Sequence, residues 1–321
     1  MSVKWGILGT AGIARGCTIP GMKEAENCEL YAIAGRDEAK VEAFRKEFGF
    51  EKGYVGYDSL LADPEVQAVY IPLPNHLHKE WVIKAAKAGK HVLCEKPLAL
   101  NADDEREMFA AAKENHVFLM EAFAYLHSPY VPMLREEISK GAIGSVDYIE
   151  TGFLTQGYID DIRIHKATGG GALYDLGCYC TTMILSLVDS NPDYVLGRAE
   201  FNEEDVDIFT SVLMKFTNGV RASFNVGMIF RPETDDRWDR LYIHGTEGYI
   251  VSNIEYNQSG TLHYTVFSKD GIRERSFEAR QNYALETEQF GRCIENNEEP
   301  HVSAEFSIRN AELLDMIMES I

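Results

Sequence analysis

The chain has 321 residues, enough for two ordinary domains that each bury a core of their own. Its residues are 45% apolar and 26% charged, which excludes disordered and fibrous classes, and no apolar run reaches the ~20 residues that a membrane span needs. With 31 basic against 51 acidic residues the net charge is −20, a field that repels nucleic acid and anionic membranes.

Val3–Leu8 is a short apolar run ending in Gly9, which reads as a buried parallel strand. It begins at once, without the basic start, apolar centre and cleavage site of a leader, so a cytoplasmic location is expected. Gly9-Thr10-Ala11-Gly12-Ile13-Ala14 then opens a helix that ends before Ala25, and Glu29–Ala34 is a second strand. A helix is predicted over Glu38–Phe48, a short one from Asp58, and a strand over Ala68–Leu73. Asn75 suits the N-cap of the helix that carries Trp81, Val82, Ala85 and Ala86, and Gly89 ends it. His91–Cys94 and Val117–Met120 are strands on either side of a helix over Ala102–Glu114. Strands alternating with helices at this spacing predict an α/β domain with a doubly wound parallel sheet over residues 1–122.

The rhythm then changes. A helix over Tyr130–Ser139 leads to a strand over Ser145–Leu154, and Gly169-Gly170-Gly171 opens another helix. Seven strands follow, over Tyr194–Phe201, Ile208–Phe216, Val220–Val226, Trp238–His244, Gly248–Ser252, Leu262–Phe267 and Ile272–Phe277, with glycine-containing turns between several of them. Helices near Tyr283–Asn296 and Ser303–Ser320 close the chain. An α+β domain over 123–321, built on a large, mostly antiparallel open sheet, is expected. The six cysteines lack the spacing of a redox pair or metal chelate, and Cys178 and Cys180, two apart on a helix, point to different faces; free thiols are expected.

Gly9, Ala11 and Ala14 occupy the three small-residue positions of G-x-G-x-x-G/A, with Ala at the middle one and Gly12 just after it. The motif follows a buried strand and opens a helix, the context in which a backbone must approach a pyrophosphate seated on a helix N-terminus. In so acidic a chain such a local device is needed, because the densest basic stretch, Arg231–Arg240, also holds Glu233, Asp235, Asp236 and Asp239. The second strand ends in Gly35-Arg36-Asp37. Arg36 suits a ribose 2′-phosphate and adenine stacking, whereas Asp37 suits either a ribose hydroxyl or the N-cap of the next helix, so NADP is favoured over NAD. His76 and His78 have no carboxylate or thiol partner nearby in sequence, so no metal is expected, and His76 is placed near a nicotinamide. Arg163 and His165, just before the glycine run, are candidates to line a substrate cleft, or else surface loop.

Glu95-Lys96-Pro97 follows a strand at the carboxyl edge where α/β ligands bind, and a helix from the glycine run would set Asp175 and Tyr179 on one face at i and i+4. Together the N-terminal turn, Pro74-Asn75-His76, Glu95-Lys96-Pro97 and Gly-Gly-Gly-Ala-Leu-Tyr-Asp-Leu-Gly-Cys-Tyr at 169–179 resemble the glucose-fructose oxidoreductase / inositol dehydrogenase / rhizopine-catabolism (GFO/IDH/MocA) family of NAD(P)-dependent oxidoreductases, over nearly the whole chain. Many members have His four residues after the Asp; Tyr179 is instead similar to the dimeric dihydrodiol dehydrogenase and NADP-dependent D-xylose dehydrogenase branch. The segment Glu121–Pro129 also resembles the family, with Leu126 where an Arg is common, which leaves the substrate open.

The resemblance implies a Rossmann domain, hydride transfer between a nicotinamide and a sugar, polyol or cyclic diol, and a homodimer or larger homo-oligomer formed through the open face of the C-terminal sheet. It implies cofactor contacts from Gly9 to Ala14, including Thr10, Gly12 and Ile13, and from Arg36, Asp37, Leu73, Pro74, Asn75, His76, Glu95 and Lys96. Substrate contacts fall to Lys96, Phe123, Arg163, His165, Asp175 and Tyr179. Lys96, Asp175 and Tyr179 are the implied catalytic group. Lys96 beside a cationic nicotinamide should have a depressed pKa suited to proton exchange, and either Lys96 or Tyr179 serves as acid/base while Asp175 orients a hydroxyl or tunes Lys96. Two other readings use the same parts: an NAD-dependent glycosidase that oxidises its sugar transiently, and a non-catalytic NADP-binding redox sensor.

Overall fold

A computed structural model describes residues 2–156, 161–230, 238–253, 256 and 259–321. The chain divides into two compact units, Met1–His127 with Arg280–Arg309, and Ser128–Ala279 with Asn310–Ile321.

In the first unit β1 (Val3–Leu8) leads through a π turn (Ala14–Thr18) into α1 (Ile19–Glu24), then β2 (Cys28–Gly35), α2 (Glu38–Phe48), β3 (Lys52–Val55), α3 (Tyr57–Leu61) and β4 (Ala68–Ile71). A 3-10 turn (Asn75–Leu77) precedes α4 (His78–Lys87), followed by β5 (His91–Glu95), α5 (Ala102–Glu114) and β6 (Leu119–Ala122). The strands pair in parallel in the order β3-β2-β1-β4-β5-β6, the doubly wound order whose direction reverses between β1 and β4. Ala68, Val69, Tyr70 and Ile71 are all buried, as a strand covered on both faces requires. β3 was not expected, and Asn75 lies in the 3-10 turn instead of capping α4.

The second unit begins with α6 (Tyr130–Ser139) and β7 (Val146–Gln156). A π turn (Leu173–Gly177) runs into α7 (Cys178–Leu187), and then come β8 (Pro192–Phe201), β9 (Asp207–Phe216), β10 (Arg221–Phe230), β11 (Trp238–Gly245), β12 (Gly248–Ser252), β13 (Gly260–Ser268) and β14 (Gly271–Ala279). They form one sheet in the order β14-β13-β12-β11-β7-β10-β9-β8, antiparallel except where β10 runs parallel to β7. Ile149 and Thr151 of β7 and Leu241 and Ile243 of β11 are buried on one face, with Tyr148, Glu150 and Tyr242 alternating to the other.

The chain ends with α8 (Asn282–Asn296) and α9 (Ala304–Met318). Here the units depart from the boundary expected at residue 122, because α8 belongs to the first unit and not the second. Its Phe290 ring packs 5.8 Å from Trp5, and Gly21 lets α1 approach so closely that a Cβ there would lie 2.6 Å from Tyr283 Cβ. None of the six cysteines, all of them among the described residues, forms a disulfide. No helix among the described residues is long and apolar enough to cross a membrane.

Candidate active site

In the first unit the turn after β1, the end of β2, the loop after β4 and the turn after β5 all lie at the carboxyl edge of the sheet, around the reversal of strand order. Gly9 has φ +129, a conformation that side chains rarely adopt, and a Cβ there would press to 3.2 Å on Leu73. Its amide donates to the Ala34 carbonyl at 2.9 Å, tying the ends of β1 and β2. A Cβ on Gly12 would meet nothing within 4 Å, so the backbone at this helix start borders open space, as a pyrophosphate cradle requires, and Ala14 is fully buried beneath it. Residues 9–14 thus fit a dinucleotide. At the end of β2, Asp37 accepts the Lys40 amide at 3.1 Å and caps α2, and Arg36 beside it is exposed.

Glu95 and Lys96, both half-buried, leave β5 in a turn whose Lys96–Pro97 bond is cis. Tyr70 donates a short hydrogen bond to Glu95 and lies 2.9 Å from the Thr18 hydroxyl; burial, then the Glu95 charge, pushes its phenol well above the ordinary value. Beneath the turn are residues that sequence reasoning missed. His78 is fully buried, with Nδ1 2.9 Å from the Pro97 carbonyl and Nε2 2.7 Å from that of Leu73. Burial lowers its pKa against the pull of those carbonyls. Both ring nitrogens therefore face backbone oxygens, of which a neutral ring can donate to one, while His76 is exposed. Glu121, also fully buried, accepts the Leu98 amide at 2.9 Å. Glu286 of α8 is wholly buried too, and burial followed by the Glu95 charge pushes its carboxyl far up. Phe123, expected at the substrate, is fully buried with its ring against Tyr125.

In the second unit Asp175 sits in the π turn and Tyr179 in the first turn of α7, four positions and so about one turn apart. Arg163 bridges two carboxylates, its Nε 2.9 Å from Asp175 and its Nη1 3.1 Å from Asp161. Tyr179 is 7% exposed and packs on Phe153 and Tyr256, at 5.5 and 5.2 Å between ring centres. The start of this helix is held by Asp207, which accepts the Leu173 amide at 2.8 Å and the Thr210 hydroxyl at 2.7 Å. Gly171 makes room for it: its φ is +141, and a Cβ would lie 2.3 Å from Asp207 Oδ1. His165 is paired instead with Glu204 at 2.8 Å on an exposed loop.

Two family models match the chain: an oxidoreductase family with an NAD-binding Rossmann fold (GFO/IDH/MocA) over residues 3–123, and the GFO/IDH/MocA C-terminal domain over residues 131–251. D-xylose 1-dehydrogenase (NADP(+)) 2 of Haloferax volcanii is 36% identical, the match covering 98% of this chain and 96% of the relative. Trans-1,2-dihydrobenzene-1,2-diol dehydrogenase of Xenopus laevis is 34% identical over 69% of this chain and 68% of its own. Among solved structures, a 3-ketoreductase from Actinomadura kijaniata in complex with NADP and TDP-benzene superposes with a TM-score of 0.92 at 28% identity, covering 100% of this chain and 98% of that one.

Proposed function

Since the chain belongs to the GFO/IDH/MocA family of NAD(P)-dependent oxidoreductases, we propose that it is an NADP-preferring dehydrogenase or reductase of a sugar, polyol or cyclic diol. The observation that carries this reading is the carboxyl edge of the parallel sheet, where the Gly9–Ala14 turn, Arg36, the Leu73–His76 loop and Glu95-Lys96 follow successive strand ends. The substrate class draws support from relatives that act on D-xylose and on a dihydrodiol.

Thr10, Gly12 and Ile13 offer backbone to the pyrophosphate at the helix start. Arg36, a planar cation whose neighbouring carboxylate is occupied as a helix cap, binds the 2′-phosphate. Leu73, Pro74, Asn75 and His76 border the nicotinamide end, and Glu95 faces its ribose. When bound, the nicotinamide supplies the hydride acceptor or donor. Lys96 exchanges the proton at the reacting oxygen, with Tyr179 as a second hydroxyl donor to it. Asp175, steadied by Arg163, orients a substrate hydroxyl.

Arg36→Ala should weaken NADP binding by about tenfold or more, as loss of one charge-assisted phosphate contact does, and leave NAD binding nearly unchanged. Titration of both reduced cofactors by fluorescence checks it, and equal NADP affinity in wild type and variant would sink the assignment.

A further inference from the structure

The Pro97 carbonyl and the Leu98 amide belong to one peptide group, and that group is held from both sides by buried, titratable side chains. Glu121, reaching across from β6, accepts the Leu98 N–H at 2.9 Å. His78, at the start of α4, has Nδ1 2.9 Å from the Pro97 oxygen, and its other nitrogen is 2.7 Å from Leu73 at the end of the β4 loop. Both side chains are 0% exposed. A carboxylate on the amide side polarises the peptide, and an imidazole that carries its proton on Nδ1 polarises it in the same sense from the carbonyl side. This peptide is the next one after the Lys96–Pro97 bond, so holding it helps to fix where the Lys96 backbone lies.

A carboxylate buried this deeply would be an odd choice for a purely structural acceptor, since a glutamine would offer the same carbonyl oxygen without the cost of burying a charge. What the carboxylate adds is negative charge near Lys96. Glu121 does feel the Lys96 ammonium: burial pushes its carboxyl up to about 7, while the Ser307 hydroxyl from α9, the Leu98 amide and the Lys96 charge favour its ionised form and Glu95 opposes it, so the group is a carboxylate in the alkaline range where an amine gives up its proton. Cys94, paired with Glu121 across β5 and β6, and the buried Glu105 of α5, whose charge acts on Cys94, are further titratable groups here, and burial keeps the Cys94 thiol protonated.

We propose that Glu121 is a positioning residue for the reaction, its buried carboxylate fixing the Pro97–Leu98 peptide together with His78 and placing a negative charge beside Lys96. The inference rests on Lys96 as the proton carrier. The Glu121 carboxylate stabilises the ammonium, so removing its charge lowers the pH at which Lys96 gives up its proton. In alcohol oxidation, which needs the free amine, the rising limb of kcat against pH then moves to lower pH.

The test uses the full-length enzyme with NADP+ and D-xylose, and three variants. Glu121→Gln keeps the acceptor for Leu98 and drops the charge; it should fold with a wild-type melting temperature and bind NADPH normally, yet shift the limb down by about one pH unit or more. Lys96 titration, followed by NMR of the 13C-methylated protein, should shift in the same direction without turnover. Glu121→Asp keeps the charge and shortens the reach, and it should hold the wild-type limb while kcat falls; it also stands in if Glu121→Gln does not fold. An unmoved limb and an unmoved Lys96 titration in Glu121→Gln would overturn the proposal while Lys96→Met remained inactive. Retained turnover in Lys96→Met would instead overturn the reading of Lys96 on which it rests.

Discussion

At the scale of single residues the site depends on backbone positions that tolerate no side chain. Gly171 combines φ +141 with a contact to Asp207 that a Cβ would violate, at 2.3 Å. Gly171→Ala must either move the Asp207 cap or bend the turn, and strain of this kind costs about 2 kcal/mol or more. A urea midpoint lowered to that extent is expected, and an unchanged midpoint would contradict the assignment. Some of these residues were legible in the sequence. Gly9 and Ala14 announced themselves because a strand-to-helix turn around a phosphate restricts side-chain size, and Asp37 was read as a possible cap from its place just before a helix. His78 was not, although a signal existed: it shares the buried stripe of α4 with Val82, Ala85 and Ala86 at helical spacing, which already argued for a core histidine. Glu121 and Asp207 were missed because their partners lie 23 and 34 residues away, a distance no local pattern spans.

At the scale of elements, the two π turns found among the described residues are Ala14–Thr18, which begins at the last residue of the Gly9–Ala14 motif, and Leu173–Gly177, which lies inside the segment at 169–179 that the sequence had singled out for chemistry. Such turns are rare and concentrate at functional sites. The second is governed by Asp207, whose carboxyl burial pushes up to about 6, against the Thr210 hydroxyl and the backbone amides it accepts. A folded-state value raised above the ordinary 3.8 means that the native protein binds more protons than the unfolded chain between about pH 4 and 6. Stability from this group is therefore present at low pH and lost as pH rises through 6, by about 3 kcal/mol. Asp207→Asn removes the titration and keeps an oxygen for the Leu173 amide. Its stability relative to wild type should improve by up to that amount between pH 4 and pH 7 in paired urea melts, and a difference independent of pH would contradict the account. Elements with strong periodicity were read closely, as for Tyr130–Ser139, whereas β3 escaped because Lys52-Gly53-Tyr54-Val55 is short, half-exposed and interrupted by glycine.

At the scale of the whole molecule, the return of α8 to the first unit could not be read from sequence, since it depends on Trp5 meeting Phe290 across the length of the chain. The open sheet offers a further consequence. Leu196 and Leu213 are cross-strand partners, 59% and 44% exposed, and the row they begin continues through Ser223, Glu150, Tyr242 and Val251 on the face opposite the buried Ile149 and Ile243. A half-buried aromatic series, Tyr148, Tyr242, Tyr249 and Phe267, lies on the same sheet, with Tyr249 stacked on Phe267 at 4.6 Å. We propose that this face joins two copies of the chain, as exposed apolar patches of this kind commonly do. Light scattering should then report a dimer that Leu196→Asp with Leu213→Asp converts to monomer; a monomeric wild type would remove the proposal.

The most direct measurement of the central claim follows the reduced-nicotinamide absorbance band as the enzyme is given NADP+ or NAD+ with D-xylose, other aldoses, inositols and a trans-dihydrodiol. A growing band in proportion to oxidised product, faster with NADP+ than with NAD+, is the predicted result, with Lys96→Met slower by about 10²–10⁴-fold at unchanged cofactor affinity. Substrate cleavage without net cofactor reduction, or full turnover in Lys96→Met, would contradict it.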